Sequence, residues 1–173
     1  MIQKWAPVVL VLGAMVVIGV LGLVRSMRCD VLIDANDHDV RLEVDGVEVG
    51  RVARNQVGRF EIPKGAHHVR ALDGEKVLSE ADLNLVSGAC WLWRLGEPRP
   101  VAVFHRAYGV NAPPEPAPEV LDGQLVDLAA RGLGCAVDGA FPHTQQVKAG
   151  EAPLVIRRVC HVNDDGSSNC TEE

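Results

Sequence analysis

From Trp5 to Val24 the chain runs for twenty residues without a charged or strongly polar side chain. At about 1.5 Å of rise per residue, a helix of that length matches the ~30 Å hydrocarbon layer of a bilayer. Lys4 precedes the run, Arg25 and Arg28 follow it, and Trp5 stands at the edge, where an indole favours the headgroup layer. The run is longer than the apolar core of a cleaved signal peptide, its only small-residue site is the weak Val20-Leu21-Gly22, and a soluble helix would show a polar face. The sequence therefore predicts a single N-terminal transmembrane helix, with residues 1–28 as the anchor. About 145 residues then lie outside the bilayer.

Two signals for orientation oppose each other. Flanking charge is nearly balanced and mildly favours a cytoplasmic C-terminal part, whereas all five cysteines follow the apolar run, as expected for an oxidising compartment. The cysteines carry more weight, so the soluble part is expected outside the cytoplasmic membrane. Arginine outnumbers lysine 13 to 4, a usage associated with GC-rich bacterial genomes, which makes the expected location the bacterial inner membrane with a periplasmic domain. From Asp30 onward 23 acidic residues face 14 basic ones, a formal charge of −9. That balance is the opposite of a nucleic-acid footprint.

The soluble part is punctuated by Asp-Gly at Asp45-Gly46, Asp73-Gly74, Asp122-Gly123, Asp138-Gly139 and Asp165-Gly166. This dipeptide supplies the positive φ angles of tight hairpins, so the fold class is expected to be mainly β, an antiparallel β-sandwich. Alternation agrees: Val40, Leu42 and Val44 share one face with Arg41 and Glu43 on the other, and Phe60, Ile62 and Val69 continue the apolar set. Leu83 with Leu85, Trp91 with Trp93 and Val101 with Val103 repeat it, giving six to eight strands before residue 110.

Within this stretch, Val44-Asp45-Gly46-Val47-Glu48-Val49-Gly50 is followed by Phe60-Glu61-Ile62-Pro63-Lys64-Gly65-Ala66-His67-His68-Val69-Arg70-Ala71. The pair resembles a PEGA-type domain, in which an Asp-Gly hairpin leads to a Pro-x-Gly turn and a further strand. The family's Pro-Glu-Gly-Ala signature stands here as Pro63-Lys64-Gly65-Ala66, and the resemblance covers residues 38–74. It implies a small extracytoplasmic β-sandwich of bacterial surface and envelope proteins, a recognition or spacer module with no catalytic residues to carry over.

Beyond residue 110 the pattern changes. Asn111 to Pro118 is proline-rich and cannot enter a sheet interior, which separates a domain at 29–110 from a small cysteine-containing segment at 119–173. Glu119 to Arg131 has the charge order of a short helix stopped by Gly132, although Asp122-Gly123 would interrupt it. Ala152 to Val162 reads as a strand, and Asn163 to Ser167 as the turn after it.

Candidate chemistry is sparse. The histidines His38, His67, His68, His105, His143 and His161 are dispersed, and the adjacent pair His67-His68 would point to opposite faces of a strand. Asp34, Asn36, Asp37 and Asp39 lack the order of an EF-hand loop and read as a solvated turn. Arg157 to His161 ends like a haem attachment site without its first cysteine, and no serine stands in a nucleophile elbow. No catalytic residue, cofactor or metal ligand is therefore assigned. Trp91 and Trp93 are either core or the lining of a binding groove, and a small-molecule ligand is left open.

The cysteines carry a geometric expectation. Cys160 and Cys170 lie five residues either side of Asp165, so a hairpin turning there opposes them at disulfide distance. The remaining pairing favoured is Cys90 with Cys135, which would clamp the C-terminal segment to the first domain. Cys29 is then left beside the membrane, available for lipidation, for an intermolecular bond, or for neither. Taken together, the residues lead one to expect a membrane-anchored envelope protein that works by binding a protein partner or as a structural accessory. A thiol–disulfide redox protein and a small metal-dependent enzyme with dispersed ligands are the alternatives.

Overall fold

The computed structural model describes residues 28–97, 99–109, 111–142, 145–148, 151–168 and 170; the expected Trp5–Val24 span and His143 lie outside the described residues. Among those described, no helix is long and apolar enough to cross a membrane. The chain there is mainly β. Its strands are β1 (Arg28–Asp34), β2 (Val40–Val44), β3 (Val47–Val52), β4 (Val57–Pro63), β5 (Gly65–Asp73), β6 (Lys76–Leu85), β7 (Cys90–Arg94), β8 (Val101–Tyr108), β9 (Glu119–Val120), β10 (Leu125–Asp127) and β11 (Leu154–His161).

The first sheet, in the order β3-β2-β5-β6, is built from antiparallel neighbours. Val40, Leu42 and Val44 are buried along β2, while Arg41 pairs with Glu43 at 3.3 Å on the opposite face, so the two-residue period places each set as expected. The β2–β3 hairpin turns through Asp45 at φ 52° and Gly46 at φ 80°. Both positive angles suit a two-residue turn whose twist matches its strands.

The second sheet runs β10-β7-β1-β4. Its outer pairs are antiparallel, but β1 and β7 are parallel, from Asp30 opposite Cys90 to Asp34 opposite Arg94. This pair is the departure from the purely antiparallel expectation. The two sheets enclose the larger core, where Val31, Ile33, Leu42, Ile62, Val69, Leu85 and Trp93 are at most 2% exposed. Phe60 is half-buried against it, over a backbone that must stay bare: a Cβ on Gly50 would lie 2.6 Å from the Phe60 ring.

A third sheet, β11-β8-β9, covers the other face of the second. The middle sheet is therefore apolar on both sides. β7 gives Trp91 and Trp93 to the larger core and Cys90 and Leu92 to the other, and β1 divides Val31 and Ile33 from Leu32 in the same way. The second core is completed by Val101, Val103, Leu121, Val126, Leu128 and Val159.

The proline stretch does not mark a boundary in hydrogen bonding. β8, which precedes it, pairs with β9 and β11 from beyond it, and β10, which follows it, returns to pair with β7. The residues from Asn111 to Pro118 themselves are exposed or half-exposed and outside any strand, as a belt over the surface should be. The short helix considered over Glu119–Arg131 is absent: this segment forms β9, β10 and a turn. Gly123 takes φ 93° between the two strands, which no helix accommodates, and the Asp127 carboxylate accepts a hydrogen bond from the Ala130 amide at 3.0 Å to close the turn.

Two disulfides join Cys90 to Cys135 and Cys160 to Cys170, each with Cα atoms 5.7 Å apart. The second follows from register. Val162 bridges Ser168 in antiparallel fashion and the Asn163 amide bonds the Ser167 carbonyl, which continues to Cys160 opposite Cys170.

Candidate functional site

The most unusual chemistry in the described residues is a buried ionic group where the second and third sheets meet. His161 ends β11, Asp34 ends β1, and both are at most 1% exposed. The segment between Cys135 and Phe141 supplies the third member. Val137 bridges Val159 in parallel, the Asp138 amide bonds the Val159 carbonyl at 2.8 Å, and Asp138 takes φ 57°, a conformation aspartate tolerates. Its side chain is thereby aimed at the end of β11.

His161 donates from both ring nitrogens. Nδ1 lies 2.7 Å from Asp138 Oδ2 and Nε2 lies 2.7 Å from Asp34 Oδ2. The His161 amide also bonds Asp138 Oδ1 at 2.9 Å. Asp34 Oδ1 accepts in turn from the Asn36 amide at 3.3 Å and from Arg99 at 3.4 Å. Two carboxylates, one imidazolium and one guanidinium give a neutral set, the condition under which buried charge is tolerable.

Burial alone would lower the His161 pKa, but the hydrogen bonds and charges of Asp138 and Asp34 outweigh it and raise it to about 9. The same balance acts on the acids. Burial pushes Asp34 and Asp138 up, and bonding to His161, with Arg99 nearby, brings both net below the usual carboxylate range. Arg94, also buried, is lowered by burial against the opposing charges of Asp34 and Asp122, and it reaches across to the Gly123 carbonyl.

This arrangement can hold but cannot catalyse by proton transfer. An imidazole with a carboxylate on each nitrogen has no lone pair to offer a substrate, and among the described residues its ring nitrogens meet those two carboxylates. It acts as a clasp joining β1, β11 and the segment after Cys135. Sequence reasoning missed it, and for Asp34 the solvated-turn reading is corrected: Asp34 is wholly buried and Asn36 8% exposed, while Asp37 and Asp39 are the exposed pair. The reason is the strand itself, whose last residue falls under the third sheet.

The other candidates fall as follows. Trp93 is 1% exposed in the larger core and Trp91 is half-buried against it, so the tryptophan pair faces inward instead of lining a groove. Cys29 is also inside, 2% exposed, its Sγ 2.8 Å from the Val86 carbonyl. Burial pushes that thiol up, against a weaker opposing hydrogen bond with the Ala89 backbone, which of the three alternatives for Cys29 favours the last, neither lipidation nor an intermolecular bond. The inner-face position beside Val31 and Ile33 is the cause.

His67 pairs with Asp45 and His68 with Asp82, each at 2.7 Å, and His38 with Asp73 at 3.1 Å. Among the described residues, no three His, Cys, Asp or Glu side chains are grouped as metal ligands. An open recess of about 590 Å³ lies between β2, β3 and the Asp73-Gly74 turn. Its rim is charged, but Asp39 is bound by Arg54 at 2.6 Å and Arg51 by Glu48 at 2.9 Å. No protein family, curated protein or solved structure matches the chain.

Proposed function

We propose that the chain is a single-pass, membrane-anchored protein of the bacterial envelope, whose β domain is a PEGA-like module outside the cytoplasmic membrane. It acts as a binding or structural accessory, not as an enzyme, and its partner is a protein of a membrane or envelope assembly. The observation that carries this reading is where the reactive side chains sit. Four cysteines are in disulfides, the fifth is buried with its thiol pKa raised, and the buried histidine is bonded to a carboxylate on each side. The disulfides and the His161 clasp act as cross-links, and the free thiol is enclosed in the core. Two disulfides also favour an oxidising compartment, and the Trp5–Val24 run favours an anchor.

A reporter fused after Glu173 tests the placement. A phosphatase that matures only outside the cytoplasmic membrane should be active, and a cytoplasm-only reporter at the same site should be silent. The reverse pattern overturns the location and, with it, the compartment in which the disulfides would persist.

A further inference from the structure

We propose that one end of the β-sandwich, formed by the β4–β5 turn and the β6–β7 loop, rests on the bilayer surface, with Val86 entering the interfacial layer and Lys64 facing lipid phosphate. The inference rests on the anchor reading above. Only Arg25, Ser26 and Met27 separate Val24, which ends the unbroken apolar run, from the first residue of β1. Three extended residues span on the order of 10 Å. The start of β1 is thus held within about that distance of the membrane, and whatever lies beside it is held there too.

Strand register identifies those neighbours. Arg28 pairs with Pro63, so the turn at Lys64 lies beside the start of β1, and Gly65 pairs with Leu85, which brings Val86, Ser87 and Gly88 to the same end. The Cys29 thiol on the Val86 carbonyl and the Asp30 amide on the Ala89 carbonyl at 3.1 Å fix this loop directly to β1. Val86 is 61% exposed, an apolar side chain at a loop tip with nothing of the domain over it. Lys64 is exposed, and the nearby Glu61 is held by Arg28 at 3.3 Å.

The opposite end has a different character. There the β1–β2 loop and the β5–β6 turn carry Asp37, Asp39, Asp73 and Glu75, against Arg54 on Asp39 and Lys76 opposite Asp73, which leaves that end with an excess of carboxylates. An apolar residue and an exposed lysine at the near end, with an excess of carboxylates at the far end, is the polarity that suits a domain seated on an anionic lipid surface.

The test uses the full chain reconstituted into vesicles of phosphatidylcholine and phosphatidylglycerol. Val86→Cys and Glu75→Cys variants carry an environment-sensitive fluorophore, with quencher groups on the lipid chains just below the headgroups. The parent chain should take up no label, because Cys29 is buried. The label at position 86 should be blue-shifted and quenched several-fold more than the label at 75, and adding Lys64→Glu should reduce that quenching only when phosphatidylglycerol is present. Equal quenching at the two positions, with the chain retained in the vesicles after alkaline extraction, overturns the seating and leaves the anchor intact. A chain released by alkaline extraction overturns both.

Discussion

The sandwich of the first two sheets and the layer formed by β8, β9 and β11 reach stability by different means. The sandwich is written in side-chain period. Val40, Leu42, Val44, Ile62, Val69 and Ala71 are all buried, and its one cysteine outside a disulfide, Cys29, is enclosed in the core with its thiol on the Val86 carbonyl. The outer layer has a smaller set of apolar contacts and is held by cross-links: Cys90–Cys135 to the middle sheet, Cys160–Cys170 within itself, and the His161 clasp to β1. In the chain-entropy estimate, the first of these disulfides contributes about 4 kcal/mol and the second somewhat less than 3. A short segment that cannot enclose a core of its own is thus fixed by a few specific bonds. Apolar burial is tolerant of exchange between similar residues, whereas each specific bond fails when one partner is lost.

The largest expected effect is on the side of the sandwich. Trp93 is buried in the larger core, on a strand hydrogen-bonded to both β1 and β10, so Trp93→Ala should lower stability by about 3–5 kcal/mol. Because the middle sheet serves both cores, denaturant unfolding followed in either half should shift together. A loss confined to the first half would show that the two cores unfold independently and break the comparison.

The second effect separates the halves by pH. The folded-state pKa of His161 is raised to about 9 from an ordinary 6.5, so the folded chain holds a proton that the unfolded chain releases. Its contribution is complete below pH 6.5 and disappears as pH rises through about 9. For a shift of this size it is of the order of 3 kcal/mol. Asp34 and Asp138 are lowered, so their contribution is present above the ordinary carboxylate pKa near 4 and fails as pH falls below it. Stability should therefore be greatest from about pH 4 to 6.5 and decline toward 9. His161→Gln should be less stable at pH 6 and should lose most of the decline between 6.5 and 9. A variant that keeps the parent's slope would place the titration elsewhere.

The same contrast explains what the sequence disclosed. Hairpins were legible because their signals are local: Asp45-Gly46 supplies the positive φ angles, and Val40 to Val44 alternates as a strand with one wet face must. Eight strands do precede residue 110, as the spacing led one to expect. β1 was not legible. Val31 to Ile33 is apolar toward both cores, so it shows no alternation, and only the six residues from Arg25 to Asp30 separate it from a longer apolar run. Its parallel partner lies sixty residues away, from Asp30 to Cys90, and no turn signal announces such a pairing. The clasp joins residues 127 apart, and His161 in isolation looks like any strand histidine. The inward pointing of Trp93 was one of two readings of an i, i+2 pair, and the presence of a second core behind β7 settles it.

The smallest expected effect is the Cys160–Cys170 bond. Its register was legible because the turn at Asp165-Gly166 is local, and the structure places Val162 opposite Ser168 on the way to the paired cysteines. The loop it closes spans only 10 residues, so the chain-entropy contribution is about 2–3 kcal/mol. Cys160 also packs with Phe141 and Cys170 in a small cluster on the outer face of the third sheet, away from both larger cores. Replacing both cysteines with serine should therefore raise hydrogen exchange in the β11 hairpin while β1 to β7 keep their protection. Non-reducing peptide mapping of the parent should recover the two in one disulfide-linked fragment. If the substitution instead destabilises the sandwich as much as Trp93→Ala does, the outer layer is not an attachment held by cross-links but part of one cooperative core.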